Sequence, residues 1–348
     1  ALDHRKPDRL PRYEVFFSSF IEQWVAVRGL PADVNIHESY QIDIPRVLAC
    51  QAGPFWRAAR TDDQGEPNYT VLDTWGRRLR RRRDSGFYEL LQSAIQEKGD
   101  IERVNWTDVD DLVQSSVTDE IDQCAHDARF APVTGVMGLF HACTYLRGEI
   151  AFMMDLLDDE AFCDALVDQL RLFLTNLGLQ MLEATGTWDT AIWVYDDFSI
   201  KTGPLISPAL FEQRLLPAYR AMFAEWKARG ARHIVLHHDV MSENSYPIID
   251  MLVDAGLDGV QGVYPTDGLT VMACKQRYGN RLSVIGGMCN TQTLPFGSRS
   301  EIEREATLVA EAGRDGGVII GSHSIEGYIP VENYDWFQRA LEKIYDHW

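Results

Sequence analysis

Short apolar runs alternate with amphipathic stretches along the second half of the chain. AIWVYDDFS (191–199), HIVLHHD (233–239), GVQGVYP (259–265), SVIGGM (283–288) and GVIIGSHS (317–324) are each about one strand long. Helical patterns separate or follow them, among them Ser207 to about Arg229, Ser245 to Ala255 and Val331 to about Tyr345. Strands covered on both faces read as continuous apolar runs, so this rhythm predicts βα units around a buried parallel sheet. Ser207 before Pro208, and Ser298 before Glu301, are the hydroxyl caps expected where helices begin.

The first half is less regular. YEVFF (13–17) predicts a first strand and APVTGVM (131–137) another, with helices from about Phe140 to Leu157 and from Glu160 to Ala184. Between Pro31 and Asp111 the pattern is mixed, and YTVLDTWGRRLRRRR (69–83) predicts an inserted β-hairpin or pair of extended segments. An open, doubly wound sheet is the competing architecture. It would carry GxGxxG after its first strand or a P-loop, and the chain has neither. The expectation is therefore a single (β/α)8 barrel over residues 1–348, with extra N-terminal helices and the inserted hairpin.

Composition narrows the partners. A formal charge of −19 argues against non-specific binding to nucleic acid or an anionic membrane surface. Six cysteines at 50, 124, 143, 163, 274 and 289 form no CxxC pair and predict reduced thiols. No apolar run reaches the roughly 18–20 residues of a membrane span. The opening ALDHRKPDRLPRYE is too polar for a signal peptide, so a cytoplasmic location is expected.

In such a barrel the active site gathers at the C-terminal strand ends. Glu14, Asp196, Asp197, His237, His238, Asp239, Tyr264, Cys289 and His323 all fall at or near such ends. Adjacent Asp196 and Asp197 cannot point the same way on a strand, so one is expected at the mouth and the other in support. His237 and Asp239 share one face. Imidazole with carboxylate suits zinc or another divalent ion, a proton relay, or a buried histidine merely oriented by the aspartate. Cys289 and His323, on neighbouring strand ends, extend the metal-ligand candidates to four: His237, Asp239, Cys289 and His323. Asp196, Asp197, His237, His323 and Glu14 are the catalytic candidates. His238, Tyr264 and Arg80 are the substrate-binding ones. Arg80 belongs to RRLRRRR (77–83), which would grip an anionic ligand or simply form a solvated hairpin.

Several segments carry a family resemblance in chain order. They are ALDHRKPDRLPRY, LDTWG (72–76), YDDFSIKTGPLISPALFEQRLLPAYRAM and GGVIIGSHSIEGYIPVEN. Through them the chain resembles the uroporphyrinogen decarboxylase superfamily. True decarboxylases of that group have an arginine-bearing segment after the first strand; VFFSSFIEQW here carries none. The resemblance therefore points to the methyltransferase branch, whose zinc pattern is His-x-Cys with a distant cysteine. By position His237 matches the histidine, Asp239 replaces the first cysteine and His323 approximates the second. What this implies is metal- or acid-assisted demethylation of a small O-, N- or S-methyl compound. The methyl group would pass to a corrinoid carried by a partner protein, and a homodimer is compatible with it. The alternatives are a cofactor-free decarboxylase or lyase acting on another acid, and a non-catalytic tetrapyrrole- or corrinoid-binding protein.

Overall fold

Eight parallel strands form the central sheet of the computed structural model, which describes all residues except 32, 46, 84–87, 118–126, 128, 264 and 266–268. They are β1 (Arg12–Tyr13), β2 (Val47–Cys50), β3 (Val133–Met137), β4 (Ile192–Tyr195), β5 (Ile234–Met241), β6 (Gly259–Val263), β7 (Ser283–Gly287) and β8 (Val318–Gly321). Each of β3 to β8 pairs with its neighbours in sequence, β2 pairs with β3, and β1 pairs with β8. The ring closes where the Arg12 carbonyl accepts from the N–H groups of Asp43 and Ile44, just before β2. The (β/α)8 barrel expected from the alternating pattern is the observed fold.

Side chains alternate between two cores. Tyr13, Val133, Trp193, Val235, Ile285 and Ile319 fill the barrel interior. Ile192, Val194, Ile234, Leu236, Val260 and Ile320 point outward to the helices. This period of two decides every later assignment at the strand ends.

Three expected elements differ in extent. The first strand ends at Tyr13, because Glu14 turns into the protein to meet Ser322. The helix expected over 140–157 is two, Leu139–Arg147 and Glu149–Asp158, broken at Gly148 with φ 89°. The helix from Ser207 is likewise Pro208–Arg214 and Leu216–Arg229, with Pro217 withholding a backbone donor in the second helix's first turn. Ser207 caps the first of these, and Ser298 with Glu301 forms a reciprocal capping box on Arg299–Ala312. The inserted hairpin is half of a four-stranded antiparallel sheet, Arg60–Asp62, Asn68–Leu72, Arg78–Arg82 and Tyr88–Gln92, lying between β2 and β3. Among the described residues no helix is long and apolar enough to cross a membrane.

Gly138 joins β3 to helix Leu139–Arg147 and sits hard against β4. The Asp196 carboxylate accepts there from the N–H groups of Phe140 (3.2 Å) and His141 (2.8 Å), donors that a helix start leaves unpaired. A Cβ on residue 138 would overlap the Asp196 side chain. Gly138→Ala should therefore cost roughly 1–3 kcal/mol by overpacking, read as a lower midpoint in urea denaturation; an unchanged midpoint would show that Asp196 can move aside.

Candidate active site

A cavity of about 620 Å³ opens at the C-terminal ends of the strands. Its wall includes Tyr13, Tyr195, His237 and Asp239, with Asn290, Thr291, His323 and Ser324 on the β7 and β8 side. Phe17, Lys201, Glu326 and Tyr328 also line it. Inward-facing residues one step beyond the interior core form it: Trp193 leads to Tyr195, and Val235 leads to His237.

Three of the predicted ligands converge. His237 Nε2 lies 3.2 Å from Asp239 Oδ1, and His323 Nε2 lies 3.1 Å from the same oxygen. The two imidazole rings are 5.0 Å apart. One ligand atom from each of the three residues lies within 4.8 Å of the others. The hydrogen bonds from His237 and His323 hold the Asp239 carboxyl well below the usual carboxylate range.

Asp197 sets this carboxylate in place from the neighbouring strand end. Its Oδ1 accepts from the Asp239 N–H at 2.7 Å and lies 3.2 Å from His238 Nδ1. Its Oδ2 lies 3.8 Å from His141 Nδ1. Burial pushes the Asp197 carboxyl up, but the bond from His238 and that from the Asp239 N–H outweigh it, so the group stays below its ordinary range. Burial pushes His141 down, toward the neutral ring.

The other candidates lie elsewhere. Asp196 is buried in the helix layer, where it also accepts from the Tyr219 hydroxyl. Burial raises its carboxyl to about 7. It follows Val194 outward, away from the cavity, and Asp197 meets Asp239 and His238 without lining the cavity. His238 follows Leu236 outward, fully buried and packed on Phe198 with ring centroids 4.4 Å apart; it does not line the cavity. Cys289 is fully buried outside the ligand group, its Sγ 3.4 Å from Thr291 Oγ1 and its N–H held by Glu305. Glu14 is sealed on the helix side of the wall, accepting from Ser322 Oγ at 2.5 Å and from the Tyr334 hydroxyl at 3.3 Å. Arg80 lies exposed on the inserted sheet, paired with Glu89 at 2.8 Å. Tyr264 lies outside the described residues. Residues that strand alternation could have found and did not include Tyr13 and Tyr195. Asn290, Thr291, Lys201 and Tyr328 sit on loops, where no periodicity marks them.

The arginine run contributes one residue toward the site. Arg77 is nearly buried, paired with Asp73 at 2.7 Å, and its guanidinium lies 3.4 Å over the Tyr145 ring. Tyr145 in turn meets His141 edge-on at 4.4 Å. Among the described residues no arginine lines the cavity itself. Arg12, in β1, instead donates outward to the Tyr40 carbonyl and to Gln338.

A family model described as uroporphyrinogen decarboxylase (URO-D) matches residues 69–344. The chain belongs to the uroporphyrinogen decarboxylase family. The matched stretch runs from the inserted sheet through β8 and includes all three converging ligands; Tyr13 and Glu14 precede it. No curated protein matches the sequence. Among solved structures, a methyltransferase from Methanosarcina mazei is similar over 99% of this chain and 96% of its own, at 19% identity with a TM-score of 0.70. A B12-independent methionine synthase from Shewanella sp. W3-18-1, in complex with selenomethionine, aligns over 99% and 94% at 11% identity and a TM-score of 0.40. The first shares the fold. The second likeness is too slight to carry an argument.

Glu14 has a pH signature. Burial raises its carboxyl from 4.5 to about 8, so the folded state keeps a proton that the unfolded chain releases. Stability should therefore decline as pH rises between these two values. Glu14→Gln retains an acceptor for Ser322 and cannot ionise. Thermal melts should show the variant close to the native protein at pH 5 and several degrees above it at pH 8; a gap that ignores pH would contradict the assignment.

Proposed function

We propose that this member of the uroporphyrinogen decarboxylase family is a methyltransferase. It takes a methyl group from a small methylated compound and passes it to a corrinoid on a partner protein, with His237, Asp239 and His323 as the ligands of one zinc ion. The observation that carries the reading is the convergence of these three side chains at the edge of an open cavity. Three ligands facing a void is the arrangement of a catalytic rather than a structural site. The fold shared with a methyltransferase supports it.

The donor set fits zinc chemically, with two imidazole nitrogens and one carboxylate oxygen brought together from the ends of β5 and β8. When bound, such an ion acts as a Lewis acid, stabilising negative charge on the atom that loses the methyl group. With no thiolate in the set, the site is harder than one with His and two Cys, favouring an oxygen or nitrogen leaving atom over a thiol. The chain's own residues do the positioning. Asp197 fixes the Asp239 backbone, the aromatic faces of Tyr13, Phe17, Tyr195 and Tyr328 hold an apolar ligand body, and the closed barrel floor keeps water out from below.

His237→Ala, Asp239→Ala and His323→Ala should each lower zinc affinity at least roughly tenfold, measured by competition with a chromophoric chelator. His237→Ala should also abolish methyl transfer while its circular dichroism spectrum stays native, since this ring packs little core. A fully active, metal-free native protein in chelator would refute the zinc assignment. Uroporphyrinogen should not be turned over to coproporphyrinogen in an anaerobic assay, because no described arginine faces the cavity to grip its carboxylates; clear turnover would overturn that exclusion.

A further inference from the structure

The outer strand of the inserted sheet, Tyr88–Gln92, pairs on one side with Arg78–Arg82, and among the described residues no strand pairs with its other side. All of its residues are exposed. An open edge presents a row of backbone donors and acceptors to any second strand, and lysine or proline usually blunts it. YELLQ has neither. Its single charge, Glu89, is already paired with Arg80 on the strand behind.

A second unpartnered surface adjoins this edge. A Cβ on Gly148, just before helix Glu149–Asp158, would lie 3.8 Å from Leu90 Cδ2. Along that helix Ile150, Met154 and Leu157 are 72%, 57% and 71% exposed. Residues spaced by four and then three positions share one helix face, so these form a single stripe. Between strand and helix runs a groove of about 540 Å³ whose wall includes Leu90, Leu91, Ile150 and Ala151. The six apolar side chains of edge and stripe, Tyr88, Leu90, Leu91, Ile150, Met154 and Leu157, present on the order of 600 Å², the upper end of what a monomer normally exposes. A standard interface takes roughly 800 Å² from each partner, so this patch with its backbone edge approaches what a stable dimer needs.

Charge says which partner fits. The sheet side of the groove is basic, with four arginines in Arg78–Arg82, and the helix side is acidic, with Glu149, Asp155 and Asp158. A twofold axis brings the sheet of each copy against the helix of the other, basic against acidic, twice over. The chain as a whole carries −19, so contact between two copies elsewhere meets net repulsion.

We propose that this chain forms a twofold homodimer in which the Tyr88–Gln92 strands of two copies pair edge to edge, antiparallel, and the Ile150–Leu157 stripe of each copy packs against the inserted sheet of the other. The pairing satisfies the open backbone groups and buries the stripe in one step. It goes beyond the methyl-transfer reading and does not depend on it.

Sedimentation velocity over a wide range of protein concentration tests the proposal. Native protein should sediment as a dimer. Ile150→Glu combined with Leu157→Glu alters only exposed side chains, so circular dichroism should stay native while the dimer dissociation constant rises at least roughly tenfold. Leu91→Lys, which places a charge on the open edge, should act in the same direction. Hydrogen exchange gives an independent readout: the amides of Tyr88–Gln92 should be protected in the native dimer and exchange faster in the doubly substituted protein. Native protein that is monomeric at every concentration overturns the proposal, and protected strand amides in that monomer would assign the cover to the chain itself. A dimer that withstands these substitutions uses another face, which overturns it as well.

Discussion

One carboxylate bridges two strand ends and organises the mouth of this barrel. Asp197, just past β4, accepts the Asp239 N–H at the irregularity of β5 between the paired residues His237 and Met241. The bond is short, charge-assisted and partly withdrawn from water, conditions under which such a contact is strong. Without it the end of β5 would have no reason to turn Asp239 toward His237 and His323. His238 adds a second donor to the same oxygen from inside the wall. A two-histidine, one-carboxylate cluster therefore rests on a fourth residue that contributes no ligand atom to it.

The peptide unit Asp196-Asp197 also divides its labour electrostatically. Asp196 is walled in by a helix start and a tyrosine, and burial favours its protonated form. Asp197, one residue on, is kept ionised by the donors around it. Just past β4 the two side chains part: Asp196 goes to the helix start at Phe140 and His141, and Asp197 to the Asp239 N–H and His238. Alternation along β5 separates His237 from His238.

Much of the architecture was legible because β4 to β8 are apolar on both faces and their helices carry caps at Ser207 and Ser298. β2 was not legible, since VLAC is four residues long and precedes an insertion with its own strand pattern. Nor was the two-residue extent of β1, which depends on Glu14 finding Ser322 more than 300 positions away. At the site, His237, Asp239 and His323 were legible as ligand types at strand ends. Glu14 was misplaced because alternation turns it away from the cavity that Tyr13, Val15 and Phe17 line, and Cys289 because nearness to a strand end does not fix where a side chain points.

The inserted sheet differs from the barrel in what holds it. Its strand Tyr88–Gln92 is exposed throughout, and the contacts Arg80–Glu89 and Arg83–Asp63 are ion pairs open to solvent. The Debye length is about 8 Å at physiological ionic strength and about 3 Å at 1 M. Raising the salt concentration therefore weakens the insertion's pairs while leaving the buried barrel core almost untouched. Arg77, anchored to Asp73 and Tyr145 at the root of the insertion, is shielded from that effect. Salt acts in the same way on exposed barrel pairs such as Arg277–Asp250 and Arg299–Glu303, but the barrel has a buried core beneath them, whereas the outer strand of the insertion has none.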